Sequence, residues 1–183
     1  MAVYLGIGLG AITLLWIGWN LTLDALWQPT DRETVRRILF LAGVREGEHV
    51  VDLGCGDGRI VVAAARQFSA RATGIEIDPM RVLWARTWIR LARIASRAHI
   101  IWGNMYRADL STADVVVLFL SPTSNRKLRS HLARDLHPGA RVVSYYHPMW
   151  GWEAVEIGEA KHGYPLYLYR IEPHADPAPE RAA

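Results

Sequence analysis

The hydrophobic pattern of this chain opens with a long apolar stretch. Residues 1–23 contain no Asp, Glu, Lys or Arg, and Trp16, Trp19 and Trp27 cluster near its end. About 20 apolar residues in a helix cross the hydrocarbon core of a bilayer, and Trp rings favour its interface. A signal peptide would need a cationic start and a small-residue cleavage site, and neither is visible. The pattern predicts one N-terminal transmembrane helix, with a buried core helix and a signal peptide as the alternatives.

The charges beside this stretch predict its orientation. Arg32, Arg36 and Arg37 follow it closely, whereas no Lys or Arg precedes it. Because positively charged flanks stay on the cytoplasmic side, we expect a single-pass membrane protein whose C-terminal domain is cytoplasmic.

Beyond Asp31, short apolar runs alternate with segments of helical period. The predicted strands are 49–53, 72–77, 98–102, 115–120 and 140–144, and the predicted helices are 32–42, 59–67, 80–96 and 124–136. This alternation predicts a parallel sheet with helices on its faces. Two further strands, 154–159 and 165–171, are separated by a short turn and predict an antiparallel hairpin at the sheet edge.

The predicted fold is therefore α/β: a Rossmann-like, doubly wound, seven-stranded sheet with a C-terminal antiparallel hairpin, preceded by one transmembrane helix. The domain boundaries that follow are 1–23 for the anchor, 24–172 for the folded domain and 173–183 for a disordered, proline-containing tail.

Composition narrows the classes of function. The length of 183 residues allows one domain of ordinary size. The single cysteine, Cys55, excludes an internal disulfide, and no Cys/His cluster has zinc spacing, so we expect no metal site. A net charge of +3 is too small to indicate nucleic acid as a partner.

A glycine-rich loop follows the first predicted strand and carries the clearest chemical signal. It reads Asp52-Leu53-Gly54-Cys55-Gly56-Asp57-Gly58, and its glycines allow the backbone to approach a ligand closely. The dinucleotide fingerprint G-x-G-x-x-G is absent because residue 59 is Arg. Glu76 ends the next strand, where an acid can bind ribose hydroxyls. Together with the closing hairpin, these features favour S-adenosylmethionine over a dinucleotide.

From about residue 31 to 171 the chain resembles the class I, seven-stranded, S-adenosylmethionine-dependent methyltransferases. The resemblance implies that Asp52 and the loop glycines hold the methionine part of the cofactor, Glu76 the ribose and Asn104 the adenine. The cofactor-binding residues expected on this basis are Pro29, Thr30, Asp52, Gly54, Cys55, Gly56, Asp57, Glu76, Ile77, Asn104 and Met105.

Several of these residues have simpler alternatives. Asp57 is equally a candidate N-cap for the following helix, and Asn104 a candidate turn residue. Pro29 and Thr30 are also compatible with the start of a helix. Cys55 is better explained as a small residue that packs within the loop than as a catalytic nucleophile.

A closer likeness concerns four motifs in order: W-Q-P-T, D-L-G-C-G-D-G-R-I-V, V-V-V-L-F-L-S-P and G-A-R-V-V-S-Y-Y-H-P-M-W. They resemble a group containing small archaeal lysine methyltransferases and membrane-anchored mitochondrial relatives. The chain departs from this group at Cys55, where Ser is usual, and matches only loosely over 145–152. The likeness implies a lysine side chain of a protein as methyl acceptor.

The same resemblance places Ser121 and Pro122 beside the transferred methyl group. Aromatic residues follow the fifth strand, with Tyr145 and His147 among them. Such rings attract a cationic amine, and an apolar channel lowers the pKa of a lysine. The alternative is that the rings pack the hairpin against the sheet. His147 as a general base is a hypothesis.

Arginines recur in the predicted helix 80–96. Arg86, Arg90, Arg93 and Arg97 are spaced to share one helical face, which is either solvated or rests on anionic lipid.

The leading hypothesis is thus a membrane-anchored protein-lysine methyltransferase whose partners are the lipid bilayer and a protein substrate, with no nucleic acid expected. The alternatives are a methyltransferase acting on a lipid or small lipophilic molecule, and a non-catalytic membrane-tethered binding module.

Overall fold

The computed structural model of the protein describes residues 28–172. The predicted transmembrane helix at 1–23 and the predicted tail at 173–183 lie outside the described residues. Within 28–172, no helix has both the length and the apolar character needed to cross a membrane.

Seven strands form one mixed sheet, with helices between most of them. The elements in chain order are α1 (Arg32–Leu41), β1 (His49–Leu53), α2 (Arg59–Gln67), β2 (Arg71–Glu76), α3 (Pro79–Leu91), β3 (Ala98–Trp102), a 3₁₀ turn (Met105–Arg107), β4 (Val115–Leu118), α4 (Pro122–Asp135), β5 (Arg141–Tyr145), β6 (Glu156–Glu159) and β7 (Pro165–Arg170).

The strand order is β3-β2-β1-β4-β5-β7-β6. Strands β1 to β5 pair in parallel, whereas β7 pairs antiparallel with both β5 and β6. The predicted doubly wound sheet with an antiparallel hairpin at its edge is therefore confirmed. The chain reverses its winding direction between β1 and β4, and ligands of such sheets bind outside the carboxyl ends of the strands at that point.

Two apolar cores lie on opposite faces of the sheet. On one face, α1, α2 and α3 pack against the sheet through residues such as Ile38, Ala64 and Ile89. On the other face, α4 packs through Leu128 and Leu132. All four residues of β4 are buried, as expected for a central strand covered on both sides.

Helix α1 begins where the sequence predicts. The Asp31 carboxylate accepts hydrogen bonds from the backbone N–H groups of Glu33 (3.0 Å) and Thr34 (3.1 Å), which satisfies two donors of the first turn. The hairpin turn is tied to the same helix, because the N–H of Lys161 donates to the Thr34 hydroxyl at 3.2 Å.

Helix α3 is shorter than predicted. It ends at Leu91, and Arg93 adopts a left-handed backbone with φ of 55°. The N–H of Ile94 then bonds the carbonyl of Ile89, which closes the helix end as a Schellman-type cap. The prediction of a helix to residue 96 was wrong for this reason, and Arg93 and Arg97 lie beyond the helical face that carries Arg86 and Arg90.

Candidate active site

A cleft of about 590 Å³ opens at the carboxyl ends of the parallel strands. Its walls come from the loop after β1, the ends of β2 to β5, and the segment that precedes α1. All the predicted cofactor-binding residues line it, namely Pro29, Thr30, Asp52, Gly54, Cys55, Gly56, Asp57, Glu76, Ile77, Asn104 and Met105. The sheet thus brings together residues that the sequence separates by more than 70 positions.

The loop after β1 needs its glycines. Gly54, Gly56 and Gly58 have φ of 78°, 54° and 80°, in the left-handed region that favours glycine. A Cβ on Gly54 would lie 3.0 Å from the Leu120 side chain. The loop is fixed to the next strand, because the N–H of Gly54 donates to the Ile75 carbonyl at 2.9 Å. The backbone can therefore lie close to a ligand in the cleft.

Glu76 is held rigidly at the end of β2. Its Oε2 accepts the N–H of Gly56 at 2.8 Å, and its Oε1 accepts those of Ile77 at 3.0 Å and Asp78 at 2.9 Å. The residue is 4% exposed. A carboxylate has about four acceptor positions, and these N–H groups fill three of them, so capacity remains for one hydroxyl donor in the cleft. A ribose fits this arrangement.

Asp52 is a second buried acid in the same cleft. Burial, together with the negative charges of Glu76 and Asp57, raises its pKa to about 8. Asp57 is paired with Arg59, and Arg81 lies 3.9 Å from Glu76, so Asp52 is the acid in this cleft whose ionised form a positively charged ligand would favour. S-adenosylmethionine has a sulfonium and an ammonium group beside its ribose, so the residues present fit this cofactor.

Asp57 is not the N-cap residue of the helix that follows it, because Gly58 occupies that position, so the N-cap alternative was wrong. The Asp57 carboxylate nevertheless accepts the N–H of Arg59, the first residue of α2, at 3.3 Å. Asp57 also binds the Arg59 side chain, whose Nε donates to it at 2.9 Å. The same guanidinium donates to the Thr30 carbonyl. Arg59 therefore ties the segment before α1 to the cofactor loop, a role that the sequence did not reveal because its partner is 29 residues away.

Cys55 and Asn104 use their side chains structurally. A Cβ on Gly74 would lie 2.6 Å from the Cys55 sulfur, so this thiol fills space beneath β2. Burial raises the pKa of the thiol well above its usual value, which makes it a poor nucleophile. Asn104 Oδ1 accepts the N–H of Tyr106 at 2.9 Å and starts the 3₁₀ turn. Its amide group still borders the cleft.

The opposite end of the cleft is aromatic. Ser121, Phe119, Tyr146 and His147 line it. Ser121 also caps α4, because its hydroxyl accepts the N–H of Ser124 at 3.2 Å. Burial lowers the pKa of His147, which leaves its imidazole neutral near pH 7.

Two predicted catalytic residues do not line the cleft. Pro122 is the first residue of α4, and Tyr145 is buried with its ring centroid 4.4 Å from that of Phe119. The neighbouring Tyr146 takes the place at the cleft that the sequence analysis assigned to Tyr145. Further along, Trp152 packs 5.7 Å from Tyr169, as the packing alternative for these rings proposed.

Tyr146 has an unusual backbone. Its φ is 71°, and the N–H of His147 donates to the carbonyl of Tyr145 at 2.9 Å, which makes a tight γ-type turn. Bulky residues rarely adopt this conformation, and it persists where the surroundings enforce it. Here the Ser144 hydroxyl and the Asn125 amide both donate to the His147 carbonyl, at 2.6 and 3.1 Å.

Comparison with known proteins identifies the family. The model of the ANTKMT methyltransferase domain matches residues 52–156. The chain belongs to this family. It is a class I methyltransferase, and the domain contains both the cofactor loop and the aromatic end of the cleft.

Relatives agree with this assignment. A protein-lysine N-methyltransferase of Saccharolobus islandicus is 39% identical over 150 residues, covering 80% of this chain and 93% of that protein. The adenine nucleotide translocase lysine N-methyltransferase of Mus musculus is 34% identical over 137 residues, covering 75% of this chain and 59% of its own length.

A solved structure supports the cofactor. A protein of Salinibacter ruber, described as an RNA methyltransferase, superimposes with a TM-score of 0.78 and 40% identity, covering 81% of this chain and 97% of that one. It contains S-adenosyl-L-homocysteine, the product that S-adenosylmethionine leaves after methyl transfer. The predictions of the fold family and of S-adenosylmethionine as cofactor are confirmed.

Proposed function

We propose that this methyltransferase is anchored in a membrane and transfers methyl groups to lysine side chains of a membrane-associated protein. The observation that carries the proposal is a single cleft with two chemically different ends. Acids and glycines form one end, and Phe119, Tyr146 and His147 form the other. The lysine acceptors named for the Saccharolobus and mouse relatives support the choice of substrate.

At the acidic end, Glu76 would accept hydrogen bonds from the ribose and Asp52 would attract the cationic methionine part. When bound, the cofactor supplies a methyl group on a positively charged sulfur. The protein's contribution is to orient this group toward the aromatic end, since transfer requires the acceptor to approach in line. Orientation of two bound reactants is worth several kcal/mol of the barrier.

At the aromatic end, the rings of Phe119 and Tyr146 would attract the lysine ammonium and then surround its alkyl chain. Burial favours the neutral amine, which is the nucleophile. His147, with its lowered pKa, presents a neutral imidazole that would accept the proton. Ser121 lies beside these groups and, in this proposal, orients the amine.

The anchor would keep the cleft close to the membrane. Gln28 lines the cleft and lies only five positions after Leu23, the end of the uncharged stretch. Five residues extend over at most about 18 Å. If residues 1–23 span the bilayer with the Arg-rich side in the cytoplasm, the domain works on the cytoplasmic surface.

The first test identifies the acceptor. The full-length protein, incubated with membranes and S-adenosylmethionine labelled in its methyl group, should place the label in protein as methyl-lysine. Label in lipid would instead support the lipid alternative. Label in added RNA would support the activity described for the Salinibacter protein, the second candidate. Absence of both labelled product and cofactor binding would contradict an enzyme altogether.

Glu76→Ala serves as the comparison with weakened cofactor binding in this assay. We expect it to weaken cofactor binding by about 1–3 kcal/mol, because hydrogen bonds to a charged group are lost. The exposed Glu46→Gln is the matched control and should bind normally. Resistance of the full-length protein to alkaline extraction from membranes separately tests the anchor.

A further inference from the structure

The outer face of α3 is apolar although it faces solvent. Met80, Leu83, Trp84, Trp88 and Leu91 are 58%, 57%, 60%, 46% and 77% exposed. At the spacing of an α-helix these five side chains occupy one side. We call this set, together with Trp102 at 64% exposure on the adjacent β3, the α3 surface.

Core packing does not account for these residues. Helix α3 contacts the sheet through Val82, Ala85 and Ile89, which lie on its opposite side and are buried. A helix at the surface of a soluble domain normally places charged and polar residues on its outer side. Large exposed apolar patches mark sites of contact with a protein, a membrane or a ligand.

Positive charge predominates in the sequence around the α3 surface, although the N-cap of the helix is Asp78. Residues 79–107 contain six arginines and no Asp or Glu. Arg86 donates to the Ile100 carbonyl from Nε at 3.2 Å and from Nη2 at 2.9 Å, which holds its guanidinium on the β3 side of the helix. Arg90 follows one turn later on the same flank and is exposed. The apolar face thus has cations along one flank.

We infer that the α3 surface binds the interface of an anionic lipid membrane, with the helix axis in the membrane plane. The inference rests on the proposed function in so far as the anchor brings the domain to a bilayer. Trp side chains favour the membrane interface, and apolar faces flanked by Arg are typical of helices that lie in it. The cationic border complements anionic headgroups.

This surface adjoins the active site. Asp78 caps α3 by accepting the N–H of Met80 at 2.8 Å, and Arg81 in the first turn lines the cleft. Gln28, the first residue that the structure describes, also lines the cleft. The anchor and the α3 surface are therefore two attachments that together would fix the orientation of the cleft relative to the bilayer.

The test uses an environment-sensitive fluorophore on the full-length protein in vesicles. Thr87 lies between Trp84 and Trp88 on the exposed side of α3, so Thr87→Cys provides the reporter site. Ser130→Cys is the matched control, because Ser130 is exposed on α4, across the sheet. The native Cys55 is buried and does not compete for the label.

With vesicles of phosphatidylcholine and phosphatidylglycerol, we expect the label at residue 87 to become brighter and blue-shifted and to be quenched by lipids that carry a quencher in the upper chain. The emission of the label at residue 130 should stay the same as in water without vesicles. Pure phosphatidylcholine should give a smaller shift, and Arg90→Gln should reduce the difference between the two lipids.

Three outcomes would overturn the inference. If the protein binds vesicles but the emission of the label at residue 87 does not shift, the α3 surface does not contact the membrane. The anchor and the methyltransferase proposal would remain intact. Protein that does not sediment with vesicles would exclude both the surface and the anchor. A shift that appears without lipid and grows with protein concentration would identify a second copy of the chain as the occupant.

Discussion

At the scale of single residues, Asp52 links cofactor binding to pH. Burial, with the charges of Glu76 and Asp57, raises its pKa to about 8, so the free protein keeps this carboxyl mostly protonated at neutral pH. A cationic ligand beside it favours the ionised form. Binding should therefore release a proton, and affinity should rise with pH between about 6 and 8.

Calorimetry in two buffers of different ionisation enthalpy measures this proton directly. In Asp52→Asn the release attributable to this residue should disappear and binding should weaken. A wild-type protein that takes up a proton, or whose affinity falls as the pH rises through this range, would contradict the assigned role of Asp52.

Asn125 acts through the loop that it holds. It is fully buried in α4, and its amide donates to the Ser144 hydroxyl and to the His147 carbonyl, both at 3.1 Å. We expect Asn125→Ala to lower the free energy of unfolding by about 1–3 kcal/mol, since the two hydrogen bonds of a buried amide are lost. Release of the strained Tyr146 turn should also lower kcat.

A purely structural role would affect stability alone. Steady-state kinetics should therefore show a lower kcat for Asn125→Ala at a temperature where the variant is folded, with cofactor affinity unchanged. Ser130→Ala, an exposed change on the same helix, should behave as wild type. Equal kcat in the folded variant would show that the turn does not need this amide.

At the scale of elements, the cofactor loop and the segment before α1 form one unit through Arg59. Its guanidinium binds Asp57 and the carbonyl of Thr30. We expect Arg59→Ala to free the 28–30 segment and to weaken cofactor binding by about 1 kcal/mol, roughly fivefold. Stopped-flow fluorescence should locate the effect in faster dissociation, while the exposed Arg66→Ala should change nothing.

The helices and strands were largely predictable from the sequence. Buried parallel strands form short apolar runs, and helices repeat their apolar residues every three to four positions. The cofactor end of the cleft was predictable too, since strand ends converge at one edge of such a sheet. The ends of helices were harder to predict. Arg93 adopts the left-handed conformation that closes α3, and in a sequence this conformation is usually indicated by a glycine. Arg59 and Asn125 escaped notice because their roles depend on partners distant in sequence.

At the scale of the whole molecule, an enzyme anchored in the membrane as proposed should reach only acceptors in its own bilayer. Confinement to one surface replaces bulk concentration by a much higher effective concentration. We therefore expect vesicles carrying the full-length protein to methylate their co-reconstituted membrane proteins rapidly, but to label separate acceptor membranes slowly.

Fusing the two membrane populations should restore the fast rate without any change in composition, and Glu76→Ala should lower the rates before and after fusion when S-adenosylmethionine is limiting. Incorporation of labelled methyl groups into protein, followed over time, measures both rates. Equal labelling before and after fusion would mean that the domain acts on acceptors from solution. The uncharged stretch at residues 1–23 would then have a purpose other than bringing enzyme and substrate together.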